Sequence, residues 1–230
     1  MIRGLAARLY GAAMRRLDAA CGLHAYCVFR RPLRQAPGDG PPGIVLRRLN
    51  ADQLLRYAAD PQLELSRAIV SAAHARGDWC VGAFDGDRLV GYVWFALRDA
   101  PHIDGVWVRF APDAVYTYKS FVLPAYRGCG IAVGLYRFAD ARFLAQGRRY
   151  ALICVDTDNF PSIAAARKSG ALSHGYLAYW RRGNGFVAFH TPRLRDAGFA
   201  FYLSENAGIA TGAAALRVMS APDNAGRETK

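Results

Sequence analysis

The sequence contains little of what a disulfide scaffold, a metal centre or a membrane-spanning protein requires. Its five cysteines are an odd number without CxxC or CxH spacing, which predicts a reducing compartment and no bound metal. No apolar run reaches 18 residues, so we expect no transmembrane helix. Arginines interrupt the apolar residues near the N-terminus, and we therefore expect neither an export signal nor a lipidation site there.

Lysine is also scarce, because the 230-residue chain has 27 arginines and three lysines for a formal charge of +12. The excess is uneven, since residues 1–48 hold nine Arg and two Asp. Such an excess predicts an anionic partner, whether phosphate groups, nucleic acid or a membrane face. A hydrophobic content of 53% with 12 Phe and 12 Tyr predicts a folded globule with a substantial core.

Residues 2–20 have the pattern of a basic amphipathic helix. Its apolar side chains recur at helical spacing, at Ile2, Leu5, Leu9, Ala13 and Leu17, with arginines between them. Three interpretations stay open: a helix packed on the domain surface, an interfacial membrane helix, or an arm that binds nucleic acid. The membrane interpretation predicts that residues 1–30 tether the protein to anionic lipids.

Composition suggests where the chain divides. A strand-like segment at residues 24–29 leads into RPLRQAPGDGPPG, residues 31–43, which we interpret as a linker. We therefore expect a basic N-terminal extension with its linker at 1–42, a main domain at 43–192 and a C-terminal extension at 193–230. The Ala-, Gly- and polar-rich end of that extension, from about residue 205, has the composition of a loose tail.

Strand and helix signals alternate in the first part of the main domain. GIVLRRL predicts a strand, after which Asn50 offers an N-cap with Gln53 three residues on. Asp60 and Pro61 predict the start of a second helix, with Glu64 in its first turn. WCVGAF and RLVGYVWFAL flank Asp85-Gly86-Asp87, which is a strong hairpin signal.

The second part of the main domain predicts strands and crossover helices. DGVWVRF and VYTYKSFVL read as strands, residues 131–146 as one helix capped by Gly147, and YALICVD as a buried strand. A short helix at 159–169 ends at Gly170, and GYLAYW and GFVAFH close the domain as strands. This order predicts an α/β fold with a mixed, largely antiparallel sheet that gains parallel pairing around the crossover helix.

The turn PAYRGCG, residues 124–130, connects a strand to a helix. Gly128 and Gly130 could serve only to let the chain turn, since glycine lacks a Cβ. Alternatively they could let backbone N–H groups close around a phosphate at the helix N-terminus. Two glycines in such a turn are a weak signal by themselves.

The residues around this turn decide between the two interpretations. Arg127-Gly128-Cys129-Gly130-Ile131-Ala132 resembles the R/Q-x-x-G-x-G/A signature of the GCN5-related N-acyltransferases, the GNAT superfamily. Asn159, followed eleven residues later by Gly170-Ala171, is similar to the second signature of that family. The resemblance spans roughly residues 43–192, and the order of elements agrees throughout, so we expect a GNAT-like fold.

The resemblance implies which residues bind the cosubstrate, acetyl-CoA or another acyl-CoA. Arg127, Gly128, Cys129, Gly130, Ile131 and Ala132 would line the pyrophosphate of coenzyme A, where the helix dipole favours an anion. The backbone of Phe121 and Val122 would pair with the pantetheine arm as an added strand does, and Asn159 would lie beside that arm. A backbone N–H near Val122 would polarise the thioester carbonyl during direct attack by an amine.

Two positions depart from the family pattern. Ala166 stands seven residues after Asn159, where many members carry a Tyr that protonates the leaving thiolate. The strand before the turn lacks the Glu that several members use as a base, and offers Tyr118, Lys119 and Ser120 instead.

Other residues must therefore supply the proton-transfer groups. Our candidate catalytic residues are Tyr118, together with His102 and Asp104 in the insertion-like segment APHIDGVW. Glu64 and Asp78 are further acidic candidates, for which a structural role competes.

The sequence thus predicts an acyl-CoA-dependent N-acyltransferase that acts on a small amine. Two alternatives remain: a transferase of the same fold that uses aminoacyl-tRNA, and a non-catalytic module that binds acyl-CoA. We expect no nucleic-acid partner and a cytoplasmic location, with peripheral contact at the inner membrane face if residues 1–30 bind lipid. The acceptor, the acyl length and the oligomeric state are not predicted.

Overall fold

The computed structural model describes residues 2–36, 38–103, 105–182, 185–203 and 217–218. The helices are α1 (Ile2–Cys21), α2 (Ala51–Tyr57), α3 (Arg67–Arg76), α4 (Ile131–Phe138), α5 (Asp140–Ala145), α6 (Phe160–Lys168) and α7 (Pro192–Asp196). The strands are β1 (Leu23–Pro32), β2 (Ile44–Leu49), β3 (Trp79–Asp85), β4 (Arg88–Ala96), β5 (Ala100–Ile103), β6 (Val106–Arg109), β7 (Ala114–Val122), β8 (Tyr150–Asp156), β9 (Leu172–Arg182), β10 (Gly185–His190), β11 (Ala200–Leu203) and β12 (Arg217–Val218).

The strands form one large sheet and one small sheet. The large sheet has nine strands in the order β12-β10-β9-β1-β8-β7-β4-β3-β2, and the small one has the order β11-β6-β5. Neighbours pair antiparallel except β7 with β8 and β10 with β12, which pair parallel. The connection from β7 to β8 runs through α4 and α5, as the sequence predicts for a mixed sheet with a crossover helix.

The first strand lies in the interior of the large sheet. Strand β1 pairs with β8 on one side and with β9 on the other. The division of the chain at residue 42 stays a prediction, but the segment before it supplies a central strand of the sheet. Residues 24–29 carry a strand signal in the sequence, whereas the partners of that strand lie more than 120 residues away and leave no local trace.

The segment 31–43, interpreted from its composition as a linker, begins with a buried contact. Arg31 and Asp140 are each 1% exposed, and Arg31 Nη2 donates to Asp140 Oδ1 at 2.8 Å. Leu33 is buried as well, and the Gly38 N–H donates to the Arg137 carbonyl at 3.2 Å. The start of this segment therefore packs against the domain through partners that are distant in sequence, while its interpretation as a linker stays a prediction.

Most helix boundaries agree with the sequence signals, and two differ. Asn50 and Gln53 form the predicted capping box at α2. Asp60 caps only a 3₁₀ turn at Pro61–Leu63, because Glu64 adopts a positive φ of 52° and ends it. Residues 131–146 form two helices, α4 and α5, because the chain breaks at Ala139 and turns the Asp140 carboxylate toward Arg31.

Helix α1 packs on the domain, but its apolar stripe points outward. Tyr10 Oη donates to Thr157 Oγ1 at 2.8 Å, and Arg15 lies 3.7 Å from Asp158 in an ion pair, so α1 contacts the loop between β8 and α6. The apolar side chains Leu9 and Leu17, however, are 63% and 43% exposed. The described part of the stripe therefore contacts no core of this chain.

The small sheet covers one end of the large sheet. Phe199 precedes β11 and Phe201 lies on it. Both belong to a second hydrophobic cluster, which also contains Val106 and Val108 of β6 and Tyr116 of β7. This places the insertion around β5 and β6 over the strands that border the candidate site. Residues 204–216 and 219–230, which make up most of the predicted loose tail, lie outside the described residues. The two residues of the tail between them, Arg217 and Val218, form β12 and pair with β10.

Candidate active site

Strands β7 and β8 separate part-way along their length. They pair from Ala114 with Tyr150 to Thr117 with Ile153, and no farther. Beyond Thr117, the strand β7 keeps β4 as its partner on one side only. Two cavities open where the strands part, one of about 690 Å³ and one of about 570 Å³. We call them the aromatic cavity and the turn cavity.

A β-bulge lies on β7 at the junction of the two cavities. Tyr118 and Phe121 are opposite Trp94 and Tyr92, so β7 carries one more residue than β4 in this interval. Lys119 within the bulge has a φ of 42°, which is uncommon for a residue with a Cβ. A bulge bends a strand and interrupts its ladder, and this one directs the last residues of β7 along the turn cavity.

The end of β7 offers one backbone N–H to its open edge. The Leu123 N–H donates to the Val90 carbonyl of β4 at 2.9 Å. Since alternate residues of an antiparallel strand form the hydrogen bonds to one neighbour, the N–H and C=O of Val122 point away from β4. The Val122 carbonyl accepts from Arg127 Nε at 3.0 Å, which leaves the Val122 N–H at the open edge.

The turn before α4 gathers backbone N–H groups. After a 3₁₀ turn at Pro124–Tyr126, Gly128 and Gly130 adopt φ values of 85° and 88°, and Gly130 caps α4 without a side-chain bond. A Cβ at either glycine would meet open space, so the backbone conformation, not crowding, favours glycine there. Within the described part of the chain, the N–H groups of residues 128–132 donate to no backbone carbonyl outside helices and strands.

The turn cavity has the predicted residues in its wall. Eight of the nine predicted cofactor residues line it: Phe121, Val122, Arg127, Gly128, Gly130, Ile131, Ala132 and Asn159. Cys129 does not line the cavity, and its exposed thiol contacts only the Arg127 carbonyl at 3.9 Å. The assignment of these residues to coenzyme A remains a prediction.

Asn159 joins the two cavities and begins α6. Its Oδ1 accepts from the Ser162 N–H at 3.2 Å, so the side chain acts as an N-cap while its residue lines both cavities. Gly170, with a φ of 92°, follows the end of the same helix as predicted. Ala166 is completely buried in the first hydrophobic cluster and supplies no polar atom.

Three of the polar residues of the turn cavity that sequence reasoning missed bear on its chemistry. Lys168 in the last turn of α6 adds a cation to its wall, and Ser162 adds a hydroxyl in the first turn. Tyr136 on α4 lines both cavities and is 3% exposed. Burial raises the pKa of Tyr136. The helical spacing of Ile131, Leu135 and Phe138 predicts a core face, and nothing in that pattern distinguishes Tyr136 as a site residue.

The aromatic cavity is bordered by four rings on the strands and the insertion: Tyr26, His102, Tyr116 and Tyr118. Tyr118 Oη donates to Asp78 Oδ2 at 2.6 Å and accepts from Arg76 Nη2 at 3.1 Å. Burial first, and then the Asp78 charge, raises the pKa of Tyr118 well above its ordinary value. The candidate Tyr118 thus reaches the cavity with a buried carboxylate behind it.

His102 lies in the wall of the same cavity. Its Nδ1 is 3.1 Å from Tyr116 Oη, with the donor set by the imidazole tautomer, and its buried Nε2 has no hydrogen-bond partner among the described residues. Burial, followed by the neighbouring His24, lowers the pKa of His102 to about 4. His102 is therefore neutral at neutral pH and a weak base. Asp104, the third candidate, lies outside the described residues.

The remaining acidic candidates separate clearly. Glu64 is exposed and lines the turn cavity, whereas Asp78 is buried behind Tyr118. The described residues include no group of three or more His, Cys, Asp or Glu side chains that could hold a metal ion. Their helices include none long and apolar enough to cross a membrane.

Comparisons with known proteins agree with this geometry at the level of family. The model of the acetyltransferase (GNAT) family matches residues 46–171, which is more than half of the chain. No curated protein matches.

Solved structures resemble the chain only distantly. A GCN5-related N-acetyltransferase from Sphaerobacter thermophilus is 16% identical with a TM-score of 0.49, over 72% of this chain and 54% of that one. An acetyltransferase from the GNAT family of Colwellia psychrerythraea is 13% identical with a TM-score of 0.48, over 68% and 55%. The protein AAC(6′)-Iy, in complex with the bisubstrate analogue CoA-S-monomethyl-acetylneamine, is 19% identical with a TM-score of 0.44, over 55% and 89%. The chain thus spans only about half the length of the first two, and at such similarity we draw no conclusion from them about substrate.

Proposed function

Since the chain belongs to the acetyltransferase (GNAT) family, we propose that it is an N-acyltransferase that moves the acetyl group of acetyl-CoA to the amine of a small acceptor. The observation that carries the proposal is the turn at residues 128–132, whose N–H groups are unpaired at the start of α4 and border the turn cavity. Such an array is a site for a pyrophosphate. Acetyl-CoA is here a cosubstrate that enters and leaves with each turnover.

The donor would lie along the turn cavity. Its pyrophosphate would accept hydrogen bonds from the turn, with Arg127 and Lys168 supplying cations at the cavity wall. Its pantetheine arm would lie against the open edge of β7 and beside Asn159, as an added strand does. These residues fix the thioester at the bulge, where the two cavities meet.

The acceptor would occupy the aromatic cavity and attack the thioester at the junction. The amine nitrogen forms a bond to the thioester carbon, the tetrahedral intermediate collapses, and the C–S bond breaks to release the thiolate. The Val122 N–H would stabilise the negative charge that develops on the thioester oxygen. Holding both reactants at this junction supplies much of the acceleration.

Tyr136 is our proposed proton donor to the thiolate. Ala166 cannot provide the proton, whereas the phenol of Tyr136 borders both cavities. Its raised pKa keeps the phenol protonated at neutral pH. Tyr118 is the proposed group that receives the proton of the amine, because it is the phenol in the aromatic cavity that already accepts a hydrogen bond from a cation.

The direct test is binding of acetyl-CoA, measured by isothermal titration calorimetry and by thermal stabilisation. We expect binding by the wild type and a loss of about tenfold in affinity, or about 1.4 kcal/mol, for Gly130→Ala. Gly86→Ala is a matched control, since Gly86 also has a positive φ (56°) and open space around it but lies in the β3–β4 hairpin. The control should bind as the wild type does.

A screen of amines for release of free thiol then tests transfer. Transfer to any amine supports the proposal. Binding of acetyl-CoA without thiol release would favour the non-catalytic module, and salt-sensitive RNA binding without acetyl-CoA binding would favour the transferase that uses aminoacyl-tRNA. If the wild type did not bind acetyl-CoA at millimolar concentration, the proposed acyl transfer would be refuted.

We also propose that α1 holds the protein at an anionic membrane surface. The outward stripe of Leu9 and Leu17 supports this, as does the presence of four arginines and one aspartate in the first 21 residues. An apolar stripe flanked by arginine is typical of helices that lie in the membrane interface. Because α1 contacts the loop before Asn159, the cavities would then lie close to the lipid.

A further inference from the structure

The side chain behind Tyr118 is more than a structural partner. Asp78 is the last residue before β3, and its side chain is 0% exposed. Its Oδ2 accepts three hydrogen bonds: from Tyr118 Oη at 2.6 Å, from Arg76 Nη2 at 2.7 Å and from Arg76 Nε at 3.0 Å. Its Oδ1 accepts none from the described residues, although a buried carboxylate oxygen without a donor is costly.

Asp78 is also one of the residues that line a third cavity, of about 330 Å³, which we call the back cavity. Trp94 borders it too, and its buried Nε1 also lacks a partner among the described residues. Asn50 and His74 line the same cavity and are exposed, so the back cavity opens to solvent.

Tyr118 and Asp78 therefore connect two cavities that do not otherwise share a residue. Tyr118 lines the aromatic cavity but not the back cavity, and Asp78 lines the back cavity but not the aromatic cavity. The short bond between them is the link. A proton that enters at Tyr118 Oη can pass to Asp78, a residue of the back-cavity wall, without crossing the place where the thioester would lie.

We propose that Tyr118 and Asp78 form a proton relay that carries the acceptor's proton out of the aromatic cavity and releases it to solvent through the back cavity. The inference rests on the proposed acyl transfer and adds its route for the proton. Tyr118 is the group that touches the acceptor. Asp78 is a positioning residue that acts through Tyr118.

The relay moves one proton from the attacking amine to Asp78. When the amine nitrogen bonds to the thioester carbon, an N–H proton passes to Tyr118 Oη and the proton of Tyr118 passes to Asp78 Oδ2. Tyr118 ends neutral, Asp78 ends protonated, and the electron pair of the C–S bond leaves with the thiolate. Asp78 then returns its proton to solvent by way of the back cavity, Tyr136 regains from solvent the proton that it gives to the thiolate, and no other reactant is required.

The charges around Asp78 suit a temporary proton acceptor. Arg76 and His74 on α3, Arg48 on β2 and Arg98 after β4 are the charged or titratable groups near it besides Tyr118. Burial is the strongest influence and raises the pKa of Asp78, although the bonds from Tyr118 and Arg76 act in the other direction. A carboxylate with a raised pKa accepts a proton more readily than an exposed one.

The test compares three single variants in an amine-dependent thiol-release assay. Asp78→Asn and Tyr118→Phe should each lower kcat by about 10²- to 10⁴-fold, with unchanged affinity for acetyl-CoA. The double variant should be no slower than the slower single one, because both act in one relay. The acidic limb of the wild-type pH profile, which reports protonation of the relay, should disappear in Asp78→Asn.

Asp99→Asn is the matched control. Asp99 Oδ2 likewise accepts from a tyrosine, Tyr202 Oη at 2.8 Å, and from an arginine, Arg109 Nε at 3.1 Å, but Asp99 lines none of the three cavities. This variant should keep wild-type kcat.

The outcomes separate the two proposals. An active wild type in which Asp78→Asn is no slower than Asp99→Asn would overturn the relay alone, as would additive effects of Asp78→Asn and Tyr118→Phe. Thermal unfolding identifies a variant that fails to fold. If Asp78→Asn fails to fold, Tyr118→Phe, which loses only a hydroxyl, tests the relay: an acidic limb of its kcat–pH profile like that of the wild type would overturn it. A wild type that releases no thiol with any amine would refute the acyl transfer and the relay together.

Discussion

At the scale of single residues, the aromatic cavity separates two candidates that sequence reasoning treated alike. Tyr118 is linked to a carboxylate that leads to solvent, whereas His102 is held between the rings of Tyr26 and Phe201, with centroids 4.6 Å from each. Its low pKa makes His102 a poor proton acceptor. We infer that its neutral ring shapes the proposed acceptor site.

The buried imidazole of His102 should make stability depend on pH. The folded protein binds its proton only below about pH 4, whereas an unfolded histidine binds it below about pH 6.5. The unfolded state therefore binds more protons between these values, and stability should fall as the pH falls from 6.5 to 4, by at most about 3 kcal/mol. Urea unfolding of the wild type and His102→Gln at a series of pH values measures this difference.

The comparison isolates His102 from other titrating groups. Asp78 acts oppositely, because its pKa is raised and its stabilising contribution is lost as the pH rises. The difference between variant and wild type cancels that background. His74→Gln, which replaces an exposed imidazole, should keep the wild-type slope. If the free energy of unfolding depended on pH in the same way in the wild type and in His102→Gln, the fold would not hold His102 neutral.

At the scale of secondary-structure elements, a buried ion pair fixes the end of β1 to α5. Asp140→Asn would leave the guanidinium of Arg31, which is 1% exposed, without its charge partner. We expect a loss of about 3–5 kcal/mol in the free energy of unfolding. Asp113→Asn is the matched control, since its pair with Arg149 is largely exposed (34% and 71%) and should contribute about 0–1 kcal/mol. Equal losses in the two variants would contradict the buried pair.

The same contacts brace the helix that begins at the glycine turn. A Cβ on Gly134 of α4 would lie 2.5 Å from the Asp39 carbonyl oxygen, so segment and helix touch at their backbones. Tyr136 of α4 also accepts from Arg31 Nη2 through its carbonyl, at 2.6 Å. The N-terminal segment thereby positions the helix whose first N–H groups would bind the pyrophosphate.

Local signals predicted the elements whose cause is local. The hairpin at Asp85-Gly86, the capping box of Asn50 and Gln53, and the glycine turn before α4 all follow from the conformational demands of a few residues. The resemblance to the GNAT signatures, added to the glycine turn, implied most of the residues that line the turn cavity. Local signals could not place β1 between β8 and β9 or pair Arg31 with Asp140, because such contacts are decided by partners far along the chain.

The same limit explains what was missed in the site. Asp78 is an acidic candidate in the sequence but carries no motif, and only the approach of β7 to the end of α3 gives it a partner. Tyr136 sits in a helix whose apolar pattern is complete without it. The direction of the α1 stripe was also undetermined, because an amphipathic pattern does not specify whether its apolar side meets protein or lipid.

At the scale of the whole molecule, the cavities are built from segments outside the predicted main domain as well as within it. Strand β1 contributes Tyr26, the insertion contributes His102, and β11 packs Phe201 against both rings. The turn cavity, by contrast, is lined by residues between Glu64 and Lys168, all within the predicted main domain. The proposed donor site therefore lies wholly within the residues that the family model matches, whereas the proposed acceptor site also includes Tyr26, which lies outside them.

The arrangement of α1 also belongs to the whole molecule, since it decides what the protein's basic end contacts. If the outward stripe binds anionic lipid, the wild type should sediment with vesicles of phosphatidylserine and phosphatidylcholine in equal parts, and much less with phosphatidylcholine alone. Leu9→Gln, and more strongly Leu9→Gln with Leu17→Gln, should reduce this binding. Added salt should weaken it as well, because the attraction of arginines to lipid headgroups is screened.

Val45→Gln is the matched control for Leu9→Gln, because Val45 is 61% and Leu9 63% exposed. Val45 lies on β2, an edge strand of the large sheet, whereas α1 contacts β1 and β9, which lie several strands away. Substitution is preferable to deletion of residues 1–30, since deletion would also remove β1 from the centre of the sheet. Equal sedimentation of wild type and Leu9→Gln would contradict the membrane proposal. Light scattering that detects a wild-type dimer, lost in Leu9→Gln, would instead assign the outward stripe to a second copy of the chain.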